Sequence, residues 1–325
     1  MRFAVVPQRP RVRINFHKLA YDLLLQTVRG LHPELASRIV AARRAGAASS
    51  AKDAAAETML DRIKDLIFKV LSWVLPASTL AELRVLYHIA MHPIRGDTHK
   101  ERLESFYGSQ AADYDDFRKK LLSGREQMVQ DATQRAGGGI WVDMGAGTGA
   151  NLAMVGDEVV MSFAKIYLVD MSPSLLAVAR KRCEDNGWHN VEVVEGDATT
   201  WEPDEGLGHV DLVTFSYSLT MIPDWFAAMD NANALLASDG TLGVVDFYVA
   251  RKHPDAGLHA NGWLQRTFWP AWFANDNVFL SADHVPYLRR IFPSHTLLER
   301  LAKVPYVGLV MPKVPYYIFV GSRAE

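Results

Sequence analysis

From residue 137 onward, short apolar runs alternate with stretches of helical periodicity. The runs fall at 140–144, 166–171, 191–195, 210–217, 241–248 and 316–320, and helix-like stretches such as 174–186 and 225–236 lie between the first five. Runs of this length read as strands, and strands apolar enough to be buried on both faces, alternating with helices, predict an α/β fold with a doubly wound, mostly parallel sheet. In such a sheet a ligand sits beyond the carboxyl ends of the strands, where the strand order switches. Further upstream, Leu60, Ile63, Leu66, Ile67, Val70, Leu71, Val74 and Leu75 recur at helical spacing, with Asp61, Arg62, Lys64, Asp65 and Lys69 between them, until Pro76. This amphipathic helix has two readings: it packs on the body of the protein, or it lies in a bilayer interface with Trp73 at head-group depth.

Composition narrows the class. The chain has 325 residues, 49% apolar and 22% charged, enough to bury one large core or two modest ones and too apolar for disorder. The single Cys183 cannot close an intramolecular bridge or supply a cysteine cluster, which suits a reducing, cytoplasmic setting. No run of 18 residues is apolar and free of charge, and the first 13 residues lack a signal-peptide core, so neither spanning nor export is expected. The net charge of -2 hides an asymmetry: residues 1–52 hold ten Lys and Arg against Asp22 and Glu34, a net +8, which leaves -10 for the rest. A basic arm of this kind attracts anionic lipid, nucleic acid or an acidic partner, and charge alone does not choose among them. The Ala-rich stretch 41–56 reads as a linker.

The chemistry concentrates after the first predicted strand. There Asp143 precedes Gly145, Gly147 and Gly149, bare backbone just ahead of a helix, and Asp170 ends the second strand 21 residues after Gly149. These glycines with Ala150 also satisfy the dinucleotide pattern, so a nicotinamide-dependent reductase is one alternative. The acid ahead of the loop and the Gly196-Asp197-Ala198 turn after the third strand favour a cationic ligand over a pyrophosphate.

Over residues 137–248 this set resembles the class I S-adenosylmethionine-dependent methyltransferases. The resemblance implies a seven-stranded Rossmann-like sheet with S-adenosyl-L-methionine as cofactor. Gly145, Gly147 and Gly149 then make room for its amino-acid part, Asp143 sits near its ammonium, and Asp170 binds the ribose hydroxyls. Met171 lies against adenine, Asp197 and Ala198 meet the exocyclic amine, and Ser216 joins the cofactor set. After the fourth strand the chain reads Phe-Ser-Tyr-Ser-Leu-Thr from Phe215 and lacks the Asn/Asp-Pro-Pro-Tyr/Phe motif of DNA and protein-glutamine N-methyltransferases. It looks instead like enzymes for small molecules or lipid head groups. Tyr217 either faces an acceptor amine through its ring or packs under the sheet.

A narrower resemblance lies upstream. Tyr107, Gln110, Ala111, Tyr114, Asp115, Phe117 and Arg118, followed by Gly124-Arg125-Glu126, look like the methyltransferase part of betaine-lipid (diacylglyceryl-N,N,N-trimethylhomoserine) synthases. That resemblance implies transfer of three methyls to the amine of diacylglyceryl-homoserine, with a separate aminocarboxypropyl transferase unit making the acceptor. Phosphatidylethanolamine and small metabolites are the alternative acceptors. The expected reaction is in-line displacement by a neutral amine, which needs positioning and loss of a proton more than a strong base. Tyr107, Tyr114 and Tyr217 are the catalytic candidates. The expected organisation is a basic and amphipathic extension over 1–100, a helical lid over 101–136, and a methyltransferase domain over 137–325. An aromatic insertion around 253–300, with Trp263, Phe268, Trp269, Trp272 and Phe273, would cover the acceptor pocket. His253, His259, His284 and His295 lack metal-ligand spacing, so no metal is expected, nor is nucleic acid. Peripheral contact with anionic membrane through 1–75 remains the alternative to a free arm.

Overall fold

The computed structural model describes residues 98, 101, 122–274, 278–303 and 313–323. The basic arm, the amphipathic helix, Tyr107 and Tyr114 lie outside these residues. In chain order the elements are α1 (Arg125–Ala136), β1 (Gly139–Met144), α2 (Ala150–Val155), α3 (Asp157–Ser162), β2 (Phe163–Asp170) and α4 (Pro173–Asn186). They continue with β3 (Val191–Glu195), β4 (Val210–Ser216), a 3-10 turn at Leu219–Met221, α5 (Trp225–Leu235) and β5 (Leu236–Phe247). Last come α6 (Trp263–Phe273), α7 (His284–Ile291), β6 (Ser294–Ala302) and β7 (Val314–Ser322).

The sheet has seven strands in the order β3-β2-β1-β4-β5-β7-β6, parallel from β3 through β5 and antiparallel where β7 joins β5 and β6. This is the doubly wound sheet the apolar runs predict, with its order reversing between β1 and β4. Two apolar layers sandwich it. Along β7, Tyr316, Ile318 and Val320 enter one layer while Tyr317 and Phe319 enter the other, as the two-residue period of a strand requires. The first layer takes Met128, Val129 and Ala132 of α1, Ala179 of α4 and Trp269 of α6; the second takes Ala228, Met229 and Ala232 of α5 and Leu288 of α7.

Local signals set the element ends. Pro173 opens α4 behind Ser172, whose Oγ accepts from the Leu175 amide at 3.4 Å, and Gly187 at φ 67° closes it. Asp224 caps α5 by accepting from the Ala227 amide at 3.1 Å.

Three expectations change. Residues 125–136, expected in a lid, are α1, whose buried face packs on the sheet. The fifth strand begins at Leu236, where α5 runs into it without a loop. The stretch expected as an aromatic insertion around 253–300 includes the edge strand β6 from Ser294, which the sequence pattern does not reveal because Ser-His-Thr-Leu-Leu-Glu-Arg-Leu-Ala has a single β-branched residue and no regular alternation. Residues 304–307, read as part of the final strands, lie outside the described residues.

Candidate functional site

The carboxyl ends of β1, β2, β3 and β4 converge where the strand order reverses, and a cavity of about 290 Å³ opens there. Its floor is the loop after β1. The amides of Gly145 and Ala146 both donate to Val169 O, at 2.8 and 3.1 Å, folding the chain back over β2. Gly145 takes φ 69°, and a Cβ there would stand 2.4 Å from Cβ of Ser218, so this position has room for glycine alone. Ser218 in turn donates its hydroxyl to Met144 O at 2.7 Å, tying the turn after β4 to the tip of β1.

Gly145, Gly147, Asp170, Met171, Asp197, Ala198 and Tyr217 all line this one cavity, so most of the residues expected around a cofactor are neighbours in space. Asp170 is held by two backbone donors, Gly147 to Oδ2 at 2.8 Å and Ser172 to Oδ1 at 2.9 Å. Asp197 uses Oδ1 to accept from the Thr199 amide and hydroxyl, at 2.9 and 2.7 Å, which fixes an exposed carboxylate at the rim. Asn231 of α5 donates to the carbonyls of Ala198 and Trp201, at 3.0 and 2.8 Å, and steadies that turn.

Asp143, Gly149 and Ser216 do not line the cavity. Asp143 is fully buried beneath the glycine loop, where Oδ1 accepts from Thr214 Oγ1 at 2.7 Å and both oxygens accept from Asn151 Nδ2, at 3.1 and 3.0 Å. Burial pushes its carboxyl up to about 6, opposed by the hydrogen bonds from Thr214 and Asn151 and by the Arg125 charge. The glycine loop thus stands between its carboxyl and the cavity. Gly149, at φ 68°, precedes α2 and lets Leu168 approach. Ser216 faces backward and accepts from Arg125 Nε at 3.0 Å.

Tyr217 lines the cavity and, as one of its two readings had it, packs its ring in the core. It is the one non-glycine residue with positive φ, 55°, among the described residues. Its ring is buried against Phe247, with centroids 4.5 Å apart, and its hydroxyl donates to Ser123 O at 2.6 Å. Burial and the nearby Asp246 carboxyl push the phenol well above its ordinary range, so it stays protonated and is not a base at neutral pH.

The wall beyond Tyr217 is made of Met221, Ile222, Pro223 and Asp224, which belong to the stretch after β4 that the resemblance sets between cofactor and acceptor. Asp246, fully buried at the end of β5, anchors it. Its carboxylate accepts from the Thr220 amide at 3.0 Å and hydroxyl at 2.7 Å and from the Phe247 amide at 2.7 Å. Thr220 O then receives the Phe279 amide at 2.7 Å, joining the segment after α6 to the same wall.

Charge decides what such a cleft can hold. Asp170, Asp197 and Asp224 line it, and no Lys, Arg or His does so among the described residues. A pyrophosphate would meet three carboxylates and no cation, whereas a ligand bearing an ammonium and a sulfonium is attracted. The residues present thus fit S-adenosyl-L-methionine.

Comparison with known proteins agrees. The family described as "Methyltransferase domain" matches residues 142–240. Aklanonic acid methyltransferase DauC of Streptomyces sp. (strain C5) is 24% identical over 149 residues, 46% of this chain and 66% of DauC, so the chain spans a little less than two thirds of that relative. Among solved structures, Haemonchus contortus phosphoethanolamine N-methyltransferase 2 in complex with S-adenosyl-L-methionine superposes with a TM-score of 0.53 at 14% identity, covering 72% of this chain and 61% of that one. The same enzyme with phosphomonomethylethanolamine and S-adenosylhomocysteine gives 0.53 at 14% identity, covering 71% and 61%. At that identity these superpositions speak for the fold. Residues 142–240 accordingly carry a methyltransferase domain, set in a sheet with the fold of class I S-adenosylmethionine-dependent methyltransferases.

Proposed function

We propose that the protein is an N-methyltransferase acting on the amine of a lipid head group, converting diacylglyceryl-homoserine to its trimethylated betaine form. The carrying observation is the charge of the cavity: Asp170, Asp197 and Asp224 line it without a cationic side chain among the described residues. An acceptor that becomes a fixed cation gains from this field as the reaction proceeds, and an anionic acceptor loses. The upstream resemblance to betaine-lipid synthases supplies the particular head group, with the homoserine lipid made by a separate aminocarboxypropyl transferase.

The roles follow from position. The bare backbone of Gly145 and Gly147 makes room for the amino-acid part of the cofactor, with Gly149 starting α2 behind it and Asp143 below its ammonium. Asp170 takes the ribose hydroxyls, Met171 packs on adenine, Asp197 and the Ala198 backbone meet the exocyclic amine, and Ser216 supports the loop from behind. When bound, the cofactor supplies an electrophilic methyl on sulfur. Tyr217, Met221, Ile222 and Pro223 then exclude water from the acceptor side and align the amine, and the Tyr217 ring faces the charge growing on nitrogen. Tyr107 and Tyr114, outside the described residues, complete the proposed acceptor site. The basic arm and amphipathic helix over 1–75 would bring the enzyme to an anionic membrane surface, where its substrate resides.

DauC supports a second reading, methyl transfer to a carboxylic acid metabolite, against which the cavity's charge argues. Incubation with S-adenosylmethionine and, in separate reactions, diacylglyceryl-homoserine, phosphatidylethanolamine, a soluble amine and aklanonic acid, with products weighed by mass spectrometry, tests both. Mono-, di- and trimethylated homoserine lipid are expected. A methyl ester as the sole product would overturn the proposal.

A further inference from the structure

The segment Ser123–Arg125 reaches both sides of the cavity without lining it. Ser123 O receives the Tyr217 hydroxyl. Arg125, only 7% exposed, donates Nε to Ser216 Oγ at 3.0 Å and Nη2 to Asn151 Oδ1 at 2.9 Å. Ser216 is the last residue of β4, next to Tyr217 on the acceptor side. Asn151 lies in the first turn of α2, directly after the glycine loop, and its Nδ2 holds both oxygens of Asp143. One planar guanidinium therefore bridges the donor and acceptor halves, residues 91 and 26 positions away in sequence. It also dictates the orientation of Asn151, since an amide that accepts from Arg125 through Oδ1 turns Nδ2 toward Asp143.

We propose that Arg125 is a positioning residue for the cofactor site, fixing the glycine loop against the Tyr217 turn and orienting Asn151 onto Asp143. This rests on the reading of the cavity as the cofactor's. A methionine at 125 would keep the volume but leave two buried acceptors without their donor, and Asn151 would be free to rotate off Asp143. The Asp143 carboxylate would then face Asp170 with the opposing Arg125 charge gone, so its ionisation would demand higher pH. Lysine keeps the charge yet cannot reproduce the fork.

Isothermal titration of the full chain with S-adenosylhomocysteine between pH 5 and 8 tests this without relying on turnover. The wild type should bind, with affinity falling as the pH drops below about 6 and Asp143 becomes protonated. Arg125→Met should weaken binding about tenfold near neutral pH, the loss typical of hydrogen bonds from a charged donor, and should move the fall to higher pH. Arg125→Lys should recover the pH of the fall and only part of the affinity. Ser216→Ala, which cuts one arm and spares the charge, should weaken binding roughly threefold with no shift in pH, and it carries the test if Arg125→Met does not fold. Wild-type affinity and pH profile in Arg125→Met, or wild-type affinity in Ser216→Ala, would overturn the proposal. A wild-type chain that binds no S-adenosylhomocysteine at any pH would instead overturn the cofactor reading on which it rests.

Discussion

Tyr217 shows how one residue can be held in an unfavourable backbone conformation by its surroundings. A bulky side chain at φ 55° is costly by about 1–3 kcal/mol, and such positions persist where neighbours over-determine them. Here the amide donates to Val245 O at 2.8 Å, the hydroxyl donates to Ser123 O, and the ring lies against Phe247. The conformation sets Tyr217 at the cavity wall while its ring packs into the core. Tyr217→Phe removes only the bond to Ser123 O, so it should cost about 1–2 kcal/mol of stability and leave the pH dependence of turnover unchanged. Chemical denaturation and a pH–rate profile read these outcomes; loss of a titrating limb in the profile would make the hydroxyl a proton acceptor after all. Gly145 supplies the opposite case. Gly145→Ala meets both the left-handed backbone and the Ser218 side chain, and we expect it to cost about 1–3 kcal/mol and to reduce S-adenosylhomocysteine binding in the same titration.

Among elements, α1 links packing to the site. It rests on β5 at Gly243, where a Cβ would stand 2.8 Å from Met128 Sδ and 2.9 Å from Ala132 Cβ. Gly243→Ala should therefore lift α1 from the sheet, costing about 1–3 kcal/mol, and should weaken cofactor binding from a distance because Arg125 opens that helix. Thermal unfolding together with cofactor titration checks this, and a destabilised variant with unaltered affinity would uncouple the two. The strands facing the site were legible in sequence because β1, β2, β4 and β5 are largely apolar on both faces and carry the candidate acids and glycines at or just beyond their ends. Asp170 was legible as the acid that ends β2, and Asp197 from the Gly196-Asp197-Ala198 turn after β3 rather than from an apolar strand. The support beneath was not: Arg125, Asn151 and Thr214 lie on three different elements, and only the folded chain brings their side chains to Asp143 and Ser216. Likewise β6 escaped the pattern because Glu299 and Arg300 sit next to each other in it, one on each face, which an edge strand tolerates and which breaks the apolar alternation.

At the scale of the whole molecule, burial of ionisable groups gives stability a pH dependence that can be assigned by sign. Asp143 and Asp246, both fully buried, have carboxyls raised by that burial to about 6 and about 7. Each binds its proton more tightly folded than unfolded, so each withdraws stability as pH rises from about 4 through those values. His284 works in the other direction. It is fully buried in α7, its ring edge-on to Trp225 with centroids 4.6 Å apart, and burial lowers it to about 3 against a weaker opposing pull from Asp283. Its Nε2 is buried without a hydrogen-bond partner and Nδ1 lies 3.5 Å from the Tyr317 hydroxyl, so the ring stays neutral in the fold. The unfolded chain takes up a proton below about 6.5 and the folded chain does not, which removes about 1.4 kcal/mol of stability per pH unit in that range. His284→Leu abolishes this linkage while filling the same apolar site. Compared with the wild type, the variant should therefore show a constant offset in unfolding free energy above pH 7 and a relative gain that grows as the pH falls from 6.5 toward 5. Urea denaturation at half-unit pH steps measures it, and a difference between the two proteins that stays flat across that range would mean His284 is protonated in the folded state.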